Sequence, residues 1–315
     1  MAKTFYSQPK LHQIFYVFLL VVIFILIIKH GEAYNRRIEG FAANEGEVGT
    51  INQDKFTNKT GQDIYDEFYV EVYDNLVFSR NKNDFEVVEL INKTKPNKKS
   101  VFLDIGSGSG HHVSSLSAHG FKTVGIDVSK AMVKQAKETY PDMDYRVADA
   151  LESMTFSPAS FTHITCFYFT IYYIKQKAKF FENCMQWLTP GGYLILHLVD
   201  RDNFDPILPA GDPFGIISPQ KYAKKRLTST VVKFDKYDYK SNFEIFPNDD
   251  TAIMHEVFKD RTNGHVRQNE HKFYMPTQKE ILNEAKNVGF ILHSQIEMTP
   301  CQYSHQYLYI LQKPS

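Results

Sequence analysis

The stretch Leu103-Asp104-Ile105-Gly106-Ser107-Gly108-Ser109-Gly110 constrains this chain more than any other. It starts inside the apolar run 101–105 and leads into a helix-forming segment, so it reads as strand, glycine loop, helix. Glycines at alternate positions let the backbone turn tightly and approach a ligand, and the amides opening the helix point at that ligand. The dinucleotide fingerprint Gly-x-Gly-x-x-Gly is not met. Counted from Gly106 its last position is His111, and counted from Gly108 it is Val113. The spacing here is Asp-x-Gly-x-Gly-x-Gly.

The segments that follow alternate. Strands are expected at 101–105, 123–127, 145–147, 161–167 and 193–198, and helices from the loop to about 119, at 130–139 and at 175–187. Strand–helix–strand at this spacing implies a parallel sheet covered on both faces. Upstream, Ile64, Phe68, Val72 and Leu76 form a helical stripe within 62–76, and 84–92 reads as a short helix. Residues 202–275 break the rhythm with four β-like runs and read as an antiparallel insertion. A helix at 277–287 follows, opened by a Thr277–Glu280 capping box, and two strands at 290–298 and 306–312 end the chain. The expected fold class is therefore α/β, with a mostly parallel seven-stranded Rossmann-like sheet.

Acids stand at the carboxyl ends of three successive strands, where open α/β sheets bind ligands. Asp104 precedes the loop. Asp127 ends the second strand, where a carboxylate can accept both ribose hydroxyls; Ser129 is the better helix cap, which leaves Asp127 for a ligand. Asp149 follows the third strand, placed to accept from an adenine amino group.

These motifs resemble those of the class I S-adenosylmethionine-dependent methyltransferases. Residues 103–110 match their first motif, Val124 to Met132 their second-strand motif, and Leu188-Thr189-Pro190-Gly191-Gly192 their fifth-strand motif. The resemblance implies S-adenosyl-L-methionine as cofactor. Gly106, Gly108 and Gly110 would pass beneath its methionine part, with Asp104 near the amino group. Asp127 would bind the ribose, Met132 would pack on the adenine, and Asp149 with Ala150 would hold its edge. Phe167, after Cys166, would border the sulfonium. The run Cys166-Phe167-Tyr168-Phe169-Thr170 departs from the Asn/Asp-Pro-Pro-Tyr motif of enzymes that methylate adenine amino groups.

Methyl transfer depends mostly on proximity and orientation, with a base where the nucleophile needs one. Candidate catalytic residues are His197, at the end of the fifth strand, and Tyr69; His255 and His271 of the insertion are further candidates. His111 and His112 open the helix after the loop and suit either cofactor contact or packing. The tyrosines and phenylalanines at 65–73 and 167–173 suggest an aromatic, polar acceptor pocket. The acceptor is expected to be a small molecule or a protein side chain. Lys plus Arg and Asp plus Glu are equal at 36 each, which disfavours dominant nucleic-acid binding and hence RNA methylation. A non-catalytic S-adenosylmethionine-binding module is the alternative from another class. Lys221, Lys224, Lys225, Arg226, Lys233, Lys236 and Lys240 outnumber Asp235 and Asp238 in the insertion; they read as a solvated face or one that attracts anions or membrane headgroups. The three cysteines are too scattered for a disulfide framework.

An unbroken apolar run occupies 14–28, between Lys10 and Lys29. As helix it would reach about 22 Å at ~1.5 Å per residue, and snorkelling lysines could help it span a bilayer core of about 30 Å. A single transmembrane anchor over 11–29 is expected, then a tether over 30–60 and the methyltransferase domain over 61–315. A cleaved signal peptide is the rival reading, since Gly31-Glu32-Ala33 supplies small residues for cleavage. Lys29, Arg36 and Arg37 after the run, against Lys3 and Lys10 before it, tilt the body toward the cytosolic side. The sequons at Asn58 and Asn92 would matter only on the lumenal side.

Overall fold

The structure, a computed structural model, describes residues 56–209 and 226–315. The apolar run 14–28 and Lys221, Lys224 and Lys225 lie outside the described residues. Among the described residues no helix is long and apolar enough to cross a membrane.

In chain order, β1 (Phe56–Thr60) leads through a short 3-10 turn into α1 (Glu67–Val77) and α2 (Arg80–Thr94). Then come β2 (Val101–Ile105), α3 (His111–Ala118), β3 (Lys122–Asp127), α4 (Lys130–Thr139), β4 (Asp144–Val147), β5 (Phe161–Cys166), α5 (Thr170–Tyr173), α6 (Lys177–Trp187) and β6 (Leu188–Val199). The remainder is β7 (Ser229–Lys233), β8 (Tyr237–Phe246), β9 (Thr251–Asp260), β10 (Val266–Tyr274), α7 (Gln278–Val288), β11 (Ile291–Glu297) and β12 (Gln306–Gln312).

The main sheet has seven strands in the order β11-β12-β6-β5-β2-β3-β4. β4, β3, β2, β5 and β6 run parallel, and β12 and β11 close the edge antiparallel, as the sequence implies. Strand order reverses at β2, so the crevice at its carboxyl end is the natural ligand site. The parallel strands are apolar on both faces; Leu103, Ile164, Leu194 and Leu196 are buried under Phe180, Phe181 and Trp187 of α6. Local signals set the helix starts: Asp66 caps α1, Ser79 caps α2, Ser129 caps α4, and Thr277 with Glu280 forms the capping box of α7. β6 begins directly at Leu188, and Gly192 is required there because a Cβ would stand 2.9 Å from the Thr189 carbonyl oxygen.

The insertion forms a second, five-stranded sheet in the order β1-β10-β9-β8-β7. Its antiparallel character agrees with the sequence reading, with one correction. Residues 56–60, read as the end of a tether, are β1, which pairs parallel with β10 from Phe56↔Val266 to Thr60↔Glu270. A polar Phe-Thr-Asn-Lys-Thr run has no alternation of its own to mark it; its partner lies about two hundred residues away. Phe243 and Phe273 of the second sheet meet Phe169 and Phe204, which joins the insertion to the carboxyl end of the main sheet. Arg226, expected on a basic face, instead donates to the carbonyl oxygens of Phe204 and Arg201, and Asp238 pairs with Arg261.

Candidate functional site

The glycine loop leaves β2 with all three of Gly106, Gly108 and Gly110 at positive φ. They differ in what they face. A Cβ on Gly106 would fall 2.5 Å from Thr170, and one on Gly110 would fall 2.5 Å from the Tyr145 hydroxyl, so both are fixed by packing. Gly108 is not crowded in this way: a Cβ there would make ordinary contact, 3.7 Å from the Tyr73 ring. α1 is latched to the loop by Asp74, which accepts from Ser109 at 2.6 Å and contacts His111 Nε2 at 2.9 Å. His111 also stacks on Phe78, and its Nδ1 meets the Tyr140 hydroxyl at 2.7 Å.

Asp104 is buried and accepts from Thr165 Oγ1 at 2.6 Å. Burial pushes its carboxyl up to about 6, held back by His112 and Thr165. Asp127 accepts from the amides of Gly108 at 3.0 Å and Ser129 at 2.8 Å. Burial raises its pKa too, opposed by those amides. Asp149 accepts from the Leu151 amide, and the Ala150 carbonyl is taken by Asn183. Met132 is buried under α1 with Ile64, Tyr69 and Leu76. Phe167 stacks on His112 at 4.4 Å. Ser107 Oγ, buried in the loop, has no hydrogen-bond partner. A glycine loop at positive φ, an orphaned hydroxyl, buried Asp104 and partly buried Asp127 at strand ends fit a nucleoside-bearing amino acid such as S-adenosylmethionine.

His197 does not fit a base. It is fully buried, with Nδ1 2.9 Å from the Tyr168 carbonyl oxygen and Nε2 2.9 Å from the Gln306 side chain. Burial and then Lys82 push its pKa down to about 3. It is a neutral strut between β6 and β12, and no lone pair of it reaches the crevice. His255 lies exposed beside Glu270.

Two polar clusters flank the crevice instead. Behind Phe167 and Tyr168, the buried Glu86 of α2 binds Lys82 Nζ at 2.5 Å and His112 Nε2 at 2.8 Å. On the insertion side, the buried Glu256 of β9 accepts from Tyr69 and Tyr239 on Oε1, at 3.1 and 2.6 Å. On Oε2 it meets Asn269 at 3.0 Å and His271 at 2.7 Å. His271 Nδ1 is 2.8 Å from the Tyr173 hydroxyl, which accepts from the Tyr65 hydroxyl at 2.8 Å. Tyr69, expected as a catalytic residue, is buried with its hydroxyl donated to Glu256. Tyr168, between the clusters, holds φ at 51°, a left-handed conformation that costs a non-glycine residue about 1 kcal/mol or more and is found at functional sites. Glu86 and Glu256 were not singled out by the sequence motifs. The signal for Glu256 was an acid in phase with inward-facing Ala252 and Phe258 on β9.

Residues 103–196 match the family described as "Methyltransferase domain". The chain is 26% identical over 140 residues to a dTDP-4-amino-2,3,4,6-tetradeoxy-D-glucose N,N-dimethyltransferase of Saccharopolyspora spinosa, covering 42% of this chain and 55% of that protein. The chain spans about half the length of the curated relatives it matches. Its fold is similar to that of the CcbJ methyltransferase from Streptomyces caelestis, with a TM-score of 0.62 at 14% identity over 81% of this chain and 99% of that one. It is also similar to S-adenosylmethionine-bound CalS10, an amino pentose methyltransferase from Micromonospora echinaspora, with a TM-score of 0.53 at 16% identity over 79% and 98% of the two chains. The fold is that of S-adenosylmethionine-dependent methyltransferases.

Proposed function

We propose that this chain is an S-adenosylmethionine-dependent methyltransferase acting on a small molecule or a protein side chain. One observation carries the reading: Gly108, at positive φ and with its amide bound to Asp127, stands beside the Tyr73 ring of α1 at the switch point of the sheet. Asp127 would take the ribose and Asp104 the amino group; Asp149 and Met132 would border the adenine. When bound, S-adenosylmethionine supplies an electrophilic methyl on a sulfonium. The protein's own part is to orient the acceptor and exclude water, for which Tyr73, against the glycine loop, and its neighbour Tyr65 are placed. The apolar run 14–28 supports attachment of the domain to a membrane, with the body on the cytosolic side. A wash-resistant membrane fraction for the full chain, lost on removal of residues 1–39, checks that part.

Calorimetry of S-adenosylmethionine and S-adenosylhomocysteine with the full chain tests the cofactor site. Asp127→Ala is expected to weaken both by tenfold or more, from the loss of a charge-assisted pair of about 1.5–3 kcal/mol. A folded wild-type chain that binds neither would overturn the proposal. Transfer of labelled methyl from the loaded enzyme to cell extract then separates an enzyme from a binding module.

A further inference from the structure

The hydrogen bonds around Glu256 have a direction. A carboxylate that already takes three other donors can only accept, so His271 Nε2 carries the proton and its Nδ1 presents a lone pair. That lone pair receives the Tyr173 hydroxyl proton, and the Tyr173 oxygen receives that of Tyr65. Each hydroxyl points its proton inward, which leaves lone pairs on the outermost oxygen, that of Tyr65. The chain runs from fully buried Glu256 and His271 to half-buried Tyr173 and Tyr65. Its outer end lies at the cofactor loop. The Tyr65 carbonyl accepts from Ser129, two residues beyond Asp127, and the Tyr65 ring meets Tyr73, which covers Gly108.

We propose that Tyr65, Tyr173 and His271 form a proton relay that removes a proton from the methyl acceptor, with Glu256 as the positioning residue for His271. This rests on the methyltransferase reading above. It assigns the acceptor a class: a nitrogen or oxygen nucleophile that bears a hydrogen and must lose it. As the acceptor lone pair bonds to the methyl carbon, the carbon–sulfur bond breaks and its electron pair returns to sulfur. The acceptor proton passes to Tyr65, that of Tyr65 to Tyr173, and that of Tyr173 to His271 Nδ1. The resulting imidazolium stands against ionised Glu256.

The groups facing His271 are Glu256 from β9, Asn269 from its own strand, Tyr65 and Tyr69 from the α1 side, Tyr173 from α5, and the parallel ring of Phe273. On β10 the adjoining Lys272 is exposed on the opposite face, and the inward-facing Arg267 is bound to Asp66, Asn269 and the Ile64 carbonyl.

The first test needs no acceptor. Full chain labelled with 15N-histidine is recorded at pH 8 with S-adenosylhomocysteine bound, using His271→Asn to assign the signal. The neutral tautomer with the proton on Nε2 and none on Nδ1 is expected. Glu256→Gln should weaken that preference and move both nitrogen shifts toward the Nδ1–H form, because an amide can donate as well as accept. Tyr173→Phe should move the Nδ1 resonance and spare Nε2. An Nδ1–H tautomer or an imidazolium in the wild-type chain overturns the relay. If wild type fails to bind cofactor by calorimetry, the methyltransferase reading falls; binding with the wrong tautomer sinks the relay alone. The second test uses dTDP-4-amino-2,3,4,6-tetradeoxy-D-glucose and a catechol as probe acceptors. With either one that turns over, Tyr173→Phe and His271→Asn should lower kcat about 100-fold at pH 7 with KM for cofactor kept, and the deficit should shrink as pH rises. A loss equal at every pH, or confined to KM, would count against it.

Discussion

Glu86 and Glu256 are both fully buried, both flank the crevice, and both have carboxyls held below the usual range, yet they are neutralised differently. Burial raises Glu86, but Lys82 and then His112 outweigh it and bring it down to about 2. The Lys82 ammonium also lies 5.1 and 5.6 Å from the Tyr168 and Tyr303 ring centres, which adds cation–π attraction. Glu256 has no lysine or arginine in contact among the described residues. Burial raises it, and His271, Asn269 and Tyr239 bring it down. A permanent cation makes the first cluster a lock on α2 and α3. An imidazole with one N–H and one lone pair makes the second able to pass a proton between neighbours. One glutamate fixes charge, and the other makes charge conditional.

The sharpest break of this comparison is Glu86→Gln. It strands the Lys82 ammonium in the interior, at a cost of about 3–5 kcal/mol, measured as a lower urea midpoint at pH 7. Lys82→Met on that background should recover part of the loss, and no recovery would mean the pair is not coupled. The pH sign follows from the lowered carboxyl. Stability from Glu86 is complete above its ordinary value of 4.5 and is lost as pH falls toward about 2. Acid titration of wild type should therefore lose about 3 kcal/mol through that window that Glu86→Gln does not lose.

Glu256→Gln should cost less, about 1–3 kcal/mol, because it leaves imperfectly matched neutral donors and no stranded cation. An equal or larger loss than Glu86→Gln would erase the distinction between the clusters. The smallest effect is expected for Tyr69→Phe, about 1 kcal/mol in stability from one hydroxyl on a carboxylate that keeps three other donors. The same variant should lower turnover more than stability, since it loosens the charge that orients His271. Equal effects on both would assign Tyr69 to packing.

The parallel sheet was legible because β2, β3, β5 and β6 carry short runs of buried apolar residues, and the glycine loop, Asp127 and the Ser129 helix cap punctuate the chain between them, all local signals. Asp127 and the glycine loop could be placed for the same reason. His197 misled because a histidine at a strand end looks the same in sequence whether it meets solvent or, as here, Tyr168 and Gln306. The Glu256 cluster was hidden by distance. Its members come from α1, α5, β8, β9 and β10, and only the pairing of β9 with β10, Glu256 lying opposite Asn269, brings the acid to its partners. Arg267, Asn269, His271 and Phe273 alternate inward on β10, which a period-two reading records as a face without saying that the face is buried.

The pairing of β1 with β10 bears on where this protein can be cut. Truncation at residue 61, where the polar leader gives way to the helical stripe, would strip the outer strand from the sheet that holds Arg267, Asn269 and His271. The bared edge of β10 would offer its amides and carbonyls to any passing chain, and such edges invite aggregation. An expression fragment beginning before Phe56 keeps that edge covered, so a few polar residues of little apparent worth decide whether the domain is handled as a monomer or as a precipitate.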